Sequence, residues 1–136
     1  MINTLIYFIQ IFYNRVYACT KNNSLESGLD VYSRVSSFIS TLVRDCQQYR
    51  KAGANLDNVN VVIVTHGLSL RLFLMRWFQF SVEEFEETIN PDNAQLVVLN
   101  KKCMDEYRWY ELEEEHRTSL NLPEKCSSFS NGIGRR

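Results

Sequence analysis

Hydrophobic positions in the chain fall into two periodicities. Val61-Val62-Ile63-Val64 is an unbroken β-branched run, the pattern of a strand buried on both faces. It breaks at Thr65-His66-Gly67. Leu68 to Phe80 then continues with Leu, Phe, Met and Trp at most positions, Arg71 and Arg76 being its only charges, which predicts a helix covered on more than one side. Upstream, Val31, Val35, Phe38, Ile39, Leu42, Val43 and Cys46 recur at helical spacing. They predict an amphipathic helix to about Tyr49, opened by a Ser27 N-cap with Asp30 in the capping-box place. Ser81-Val82-Glu83-Glu84 is a second capping box, starting a short acidic helix to about Thr88. Asn90-Pro91-Asp92-Asn93 reads as a turn, and Ala94 to Leu99 as a strand expected beside Val61 to Val64.

The ends carry weaker patterns. Leu5 to Tyr13 is densely apolar around Gln10 and predicts a strand or a short buried helix. It is shorter than the roughly 20 residues that span a bilayer, and Met1 to Tyr13 lacks the basic start of a signal sequence. Asp105 to His116 predicts a helix or an irregular extension, with Glu111, Glu113, Glu114 and Glu115 as a solvated acidic face. Cys126 to Arg136 is rich in Ser and Gly, the composition of a disordered tail.

Composition changes this picture little. With 136 residues there is chain for one domain and one core. The formal net charge of −1 lacks the basic excess of a nucleic-acid binder. Cysteines stand at 19, 46, 103 and 126, too far apart for a C-x-x-C metal or redox motif; no metal cluster is visible, and no cofactor is expected. A reducing, cytoplasmic or nuclear compartment is expected on the same ground, with no membrane partner.

The chemistry gathers at His66. A histidine at the carboxyl end of a strand, followed by glycine and a helix start, lies where open α/β sheets bind ligands and where helix N–H groups favour anions. His66, the backbone at Gly67 and Arg71 could face one phosphate. Each has a plainer reading as well: a hydrogen-bonded core histidine, a tight turn and a helix charge. Glu26 reads as favourable charge at a helix N-terminus, Ser27 as a cap, and His116 as a surface histidine. A serine hydrolase is an alternative, because Gly67-Leu68-Ser69-Leu70-Arg71 lies on a strand-to-helix turn and Asp92 and His116 follow in order. Arg71 stands where the nucleophile elbow requires glycine.

Three separated stretches carry a family likeness: Glu26-Ser27-Gly28-Leu29-Asp30-Val31-Tyr32-Ser33-Arg34-Val35, Val61-Val62-Ile63-Val64-Thr65-His66-Gly67, and Asn90-Pro91-Asp92-Asn93. In order and spacing they resemble the histidine phosphatase superfamily, in particular its phosphoglycerate mutase-like phosphatases of plants and fungi. The resemblance implies an α/β fold, part of a three-layer α/β/α sandwich lacking its N-terminal side. It implies phosphomonoester substrates and transfer through a phosphohistidine. In the family, the histidine of an Arg-His-Gly motif attacks the phosphoryl group and a second, at a strand end, stabilises the transferring oxygens. His66 matches the second. Gly67 matches the glycine beside it, Arg71 a position that contacts substrate in some relatives, and Glu26 with Ser27 the Gly-Glu-Ser motif.

The departures matter as much. The chain contains no Arg-His-Gly, its other histidine being His116. The family's upstream general-acid carboxylate and second clamping arginine have no counterpart, and Leu25 stands where glycine is expected. Residues 1–24 are therefore expected to form an apolar leader and loop, 25–100 a partial phosphoglycerate mutase-like domain, and 101–136 an extension. Phosphatase activity is expected only where the missing groups are supplied; the alternative is a non-catalytic phosphate-binding or interaction fragment. The family's nucleophile strand lies beside the His66 strand. Either Leu5 to Tyr13 fills that place, or an exposed sheet edge leads to self-association.

Overall fold

The computed structural model describes residues 5–10, 27–56, 59–104 and 107–124. Four strands, β1 (Leu5–Gln10), β2 (Val61–Thr65), β3 (Leu96–Met104) and β4 (Tyr107–Leu112), form one sheet in the order β2-β1-β3-β4. Strand β1 runs parallel to β2, Ile6 paired with Val61 and Gln10 with Thr65, and antiparallel to β3. Four helices accompany the sheet: α1 (Gly28–Lys51), α2 (Gly67–Phe78), α3 (Val82–Glu86) and α4 (Glu114–Ser119). The class is α/β, as expected, and the described elements make up the sheet and one helical face of the expected sandwich.

Two expectations about the sheet need correction. The strand after the Asn90 turn does not lie beside β2, because β1 separates them. A central strand exchanges hydrogen bonds on both sides, and Leu5–Gln10 does so with β2 and β3, the place foreseen for the apolar N-terminal stretch. Burial of β2 on both faces is also not observed. Val61, Ile63 and Thr65 are half-buried, whereas Val62 and Val64 are each 55% exposed. Among the described residues the helices cover one face of the sheet, and β2 is an edge strand.

Helix α2 organises the core. Leu70, Phe73, Leu74, Trp77 and Phe78 are buried together with Ile39 of α1, Val97 and Leu99 of β3, and Leu112, Leu120 and Leu122. The helix thus packs on α1 and on the sheet at once, as its nearly continuous apolar sequence requires. The chain leaves it through Gln79 at φ 58, and the Phe80 N–H closes the end on the Met75 carbonyl at 3.0 Å. No helix among the described residues is long and apolar enough to cross a membrane.

The expected cap of α1 is present in full. Ser27 Oγ accepts from the Asp30 N–H at 3.3 Å, and Asp30 Oδ2 accepts from the Ser27 N–H at 2.9 Å. The Ser27 hydroxyl also donates to that carboxylate, and these bonds hold the Asp30 pKa below the usual aspartate value. A carboxyl whose pKa falls on folding adds stability above its unfolded value, near pH 4, and loses it as pH drops through the folded value. The melting-temperature gap between the wild type and Asp30→Asn is expected to narrow from about pH 6 to about pH 3. A gap that stays constant or widens would contradict the cap's contribution.

The C-terminal region departs from the sequence reading. Residues 107–112 form a strand rather than a helix, since Tyr-Arg-Trp-Tyr is strand-forming and pairs with β3. Helix α4 follows. His116 is partly buried rather than fully on the surface: its side chain is 14% exposed, with Nε2 3.7 Å from Glu113 Oε2.

Candidate phosphate site

Strand β2 delivers the chain to His66, which keeps an extended backbone (φ −104, ψ 160) and serves as N-cap of α2. Its carbonyl accepts the Leu70 N–H at 2.9 Å, the first bond of the helix. The imidazole makes no capping bond, and the residue is exposed. The first N–H groups of a helix have no intrahelical acceptor, and here they belong to Gly67, Leu68 and Ser69. Thr65 and Ser69, on either side of this turn, line a cavity of about 260 Å³ together with Val31, Val35, Phe38 and Phe73.

Gly67 is buried, and the structure gives it a packing reason. A Cβ built there would stand 3.3 Å from Asn90 Oδ1 and 3.4 Å from Pro91 Cδ. The Asn90-Pro91 turn is therefore seated on the first residue of α2. Two of the three sequence motifs, distant along the chain, are in contact here.

Arg71 joins them further. Its Nε donates to Thr88 Oγ1 at 2.6 Å, Nη1 to Asn90 Oδ1 at 3.2 Å and Nη2 to the Phe85 carbonyl at 2.9 Å. The guanidinium carbon lies 4.5 Å from the centre of the Phe85 ring, within cation–π range. Burial lowers the Arg71 pKa, and the group stays a cation at any ordinary pH. Thr88, itself buried, donates its own hydroxyl hydrogen bond to the Phe85 carbonyl at 2.7 Å. The same loop is braced from behind: the Ile89 N–H donates to the Leu120 carbonyl at 2.9 Å, and Asn121 Nδ2 to the Glu87 carbonyl at 2.7 Å.

The structure thus brings His66, Gly67 and Arg71 into one strand-to-helix turn and adds Phe85, Thr88 and Asn90, which the sequence reading did not assign. The Asn-Pro turn was the available signal for Asn90; nothing local marks Thr88 or Phe85. Glu26 lies outside the described residues. Ser69 and His116 share no hydrogen bond among the described residues, and the polar neighbour of His116 is Glu113.

The comparison that decides the family is a match of residues 10–112 to the model of the histidine phosphatase superfamily, branch 1. The chain belongs to this superfamily. It is 47% identical over 74 residues to phosphoglycerate mutase-like protein AT74 of Arabidopsis thaliana, an alignment covering 54% of this chain and 23% of that protein. It is 40% identical over 92 residues to AT74H of the same plant, covering 66% of this chain and 33% of the relative. A third relative, the broad-range acid phosphatase DET1 of Saccharomyces cerevisiae, is 44% identical over 77 residues, 54% of this chain and 21% of that protein. The chain therefore aligns with about a fifth to a third of the length of these relatives. No solved structure gives a significant match.

In this member of the superfamily β1 lies parallel to and beside β2, the strand that precedes His66. Gln10 is level with Thr65 in that register, and the next residue in sequence is Ile11.

Proposed function

We propose that this chain carries the phosphate-cradling half of a histidine phosphatase site, for phosphomonoester groups, and does not by itself transfer phosphate through a phosphohistidine. The observation that supports the reading is the exposed His66 at the N-cap of α2, directly after β2 and within the span shared with the superfamily. Phosphate oxygens would accept N–H bonds from Gly67, Leu68 and Ser69, and an imidazole N–H from His66. Helix N-terminal donors favour negative charge without further reorganisation. The family's attack needs a second histidine within hydrogen-bond reach. Here the strand beside β2 ends in Gln10, followed by Ile11, and His116 stands on α4 beside Glu113.

The test is a titration of the chain with inorganic phosphate, followed through the His66 imidazole resonances. Saturable shifts are expected for the wild type, with at least tenfold weaker binding, read from backbone amides of Gly67 to Ser69, in His66→Ala. Equal affinity in the two proteins would sink the assignment.

A second reading, self-association, is favoured by one observation. Among the described residues the outer edge of β2 has no strand partner, and Val62 and Val64 are exposed beside it. Such an edge is a template for another strand. Sedimentation is expected to show a concentration-dependent increase in mass that Val64→Lys reduces; a monomer at all concentrations would rule this out.

A further inference from the structure

We infer that Arg71 is a positioning residue, not a phosphate ligand: it locks the Phe85–Pro91 loop onto Gly67 and thereby fixes the His66 turn. The inference deepens the phosphate-site reading of His66 and rests on it for its functional meaning. Its geometry stands separately. Arg71 directs Nε, Nη1 and Nη2 to protein acceptors, and all three lie between Phe85 and Asn90. One face of its guanidinium is occupied by the Phe85 ring. A planar fork aimed at three fixed acceptors is a device for holding a loop, and an ammonium on a flexible stem cannot reproduce it.

What the loop does once held connects it to the site. The oxygen gripped by Nη1, Asn90 Oδ1, is the atom that stands 3.3 Å from the position of a Cβ at residue 67. Gly67 directly follows His66 and begins α2. The path from guanidinium to His66 therefore runs through one side chain and one close backbone contact. On its far side the loop is anchored to Leu120 and Asn121, so removing Arg71 releases the end that faces the site and leaves the other end tied.

The experiment uses the full chain, ¹⁵N-labelled, in four forms: wild type, Arg71→Lys, Arg71→Ala and Thr88→Val. Thr88→Val leaves Arg71 in place and removes the hydroxyl that accepts the Nε bond and donates to the Phe85 carbonyl; it carries the test, with Arg71→Lys, if Arg71→Ala does not fold. Two signals are read without phosphate: amide exchange at Thr88 and Ile89, and the His66 imidazole resonances. Inorganic phosphate is then titrated. Positioning predicts that Arg71→Lys, despite its retained charge, speeds exchange at Thr88 about tenfold or more and shifts the phosphate-free His66 resonances, with Thr88→Val moving both in the same direction. A merely structural role would change exchange with His66 unmoved, and that result overturns the inference. So does weakened phosphate binding with both phosphate-free signals at wild-type values, which marks a ligand. If the wild type shows no response to phosphate, the phosphate reading of His66 fails, while the positioning of the turn is still decided by the two phosphate-free signals.

Discussion

Incubated with p-nitrophenyl phosphate, the 136-residue chain is expected to release nitrophenolate no faster than its own His66→Ala variant. Phosphoryl transfer depends on a nucleophile, charge stabilisation and alignment acting together. Groups of one catalytic unit are strongly non-additive, and loss of a nucleophile alone can cost on the order of a millionfold. His66 sits at a strand end with an exposed imidazole, suited to hydrogen-bonding a phosphoryl oxygen. On the parallel neighbour Gln10 is level with Thr65, and the residue that follows it in the sequence is isoleucine, not histidine. His116, the other histidine, lies on α4 and faces Glu113. Hydrolysis by the wild type that disappears in His66→Ala would overturn the inactive reading. Phosphate binding can survive where turnover does not, because cradling needs only donors and one imidazole, so the titration and the assay test separate claims.

Trp77→Ala is expected to be the most destabilising single change, by about 3–5 kcal/mol, the usual cost of deleting a large buried aromatic. Trp77 is 4% exposed, stacks on Phe73 with centroids 5.4 Å apart and meets Tyr110 edge-on at 5.7 Å. It therefore joins α2 to itself and to β4, and its removal opens a cavity between helix and sheet. Small domains have total stabilities of about 5–15 kcal/mol, so roughly a fifth of the margin or more would go. With a urea m-value of about 1–3 kcal/mol/M, the unfolding midpoint followed by circular dichroism should fall by roughly 2 M. Leu68→Ala, on the 45% exposed position of the same helix, is the control and should move it far less. Similar shifts for both would mean that α2 is not buried on the sides its sequence and contacts assign.

The two experiments read different layers of the same element. Helix α2 carries core residues along most of its length and the candidate site at its first turn. Trp77 anchors the helix near its end, and the Asn90-Pro91 turn contacts it at Gly67. Arg71 stands between these layers, one helical turn beyond His66, with its stem on the core helix and its fork in the loop.

Much of this was legible from residue order alone. The capping box of α1, the strand–His–Gly–helix turn and the burial of α2 on more than one side are local events, written in side-chain periodicity and cap chemistry. The family likeness, carried by three motifs, was legible for the same reason. Less visible was the neighbour of β2. Apolar Leu5–Gln10 could have been a helix or a strand, and only pairing with both β2 and β3 made it central. The β-branched run of β2 was read as doubly buried, yet the described helices lie on one face and leave Val62 and Val64 exposed. Residues 107–112 showed mixed signals until pairing with β3 decided them.

By itself, then, the sequence determined the α/β class, the location of the candidate phosphate turn and the identity of the helix that forms the core. The tertiary structure decided what Arg71 grips, what stands close against residue 67, and which strand lies beside that of His66. The physical reason is range. Capping and amphipathicity act within one or two turns of chain, whereas Arg71 meets Thr88 and Asn90, Gly67 meets Pro91, and β1 meets β2 only after the chain has folded back on itself.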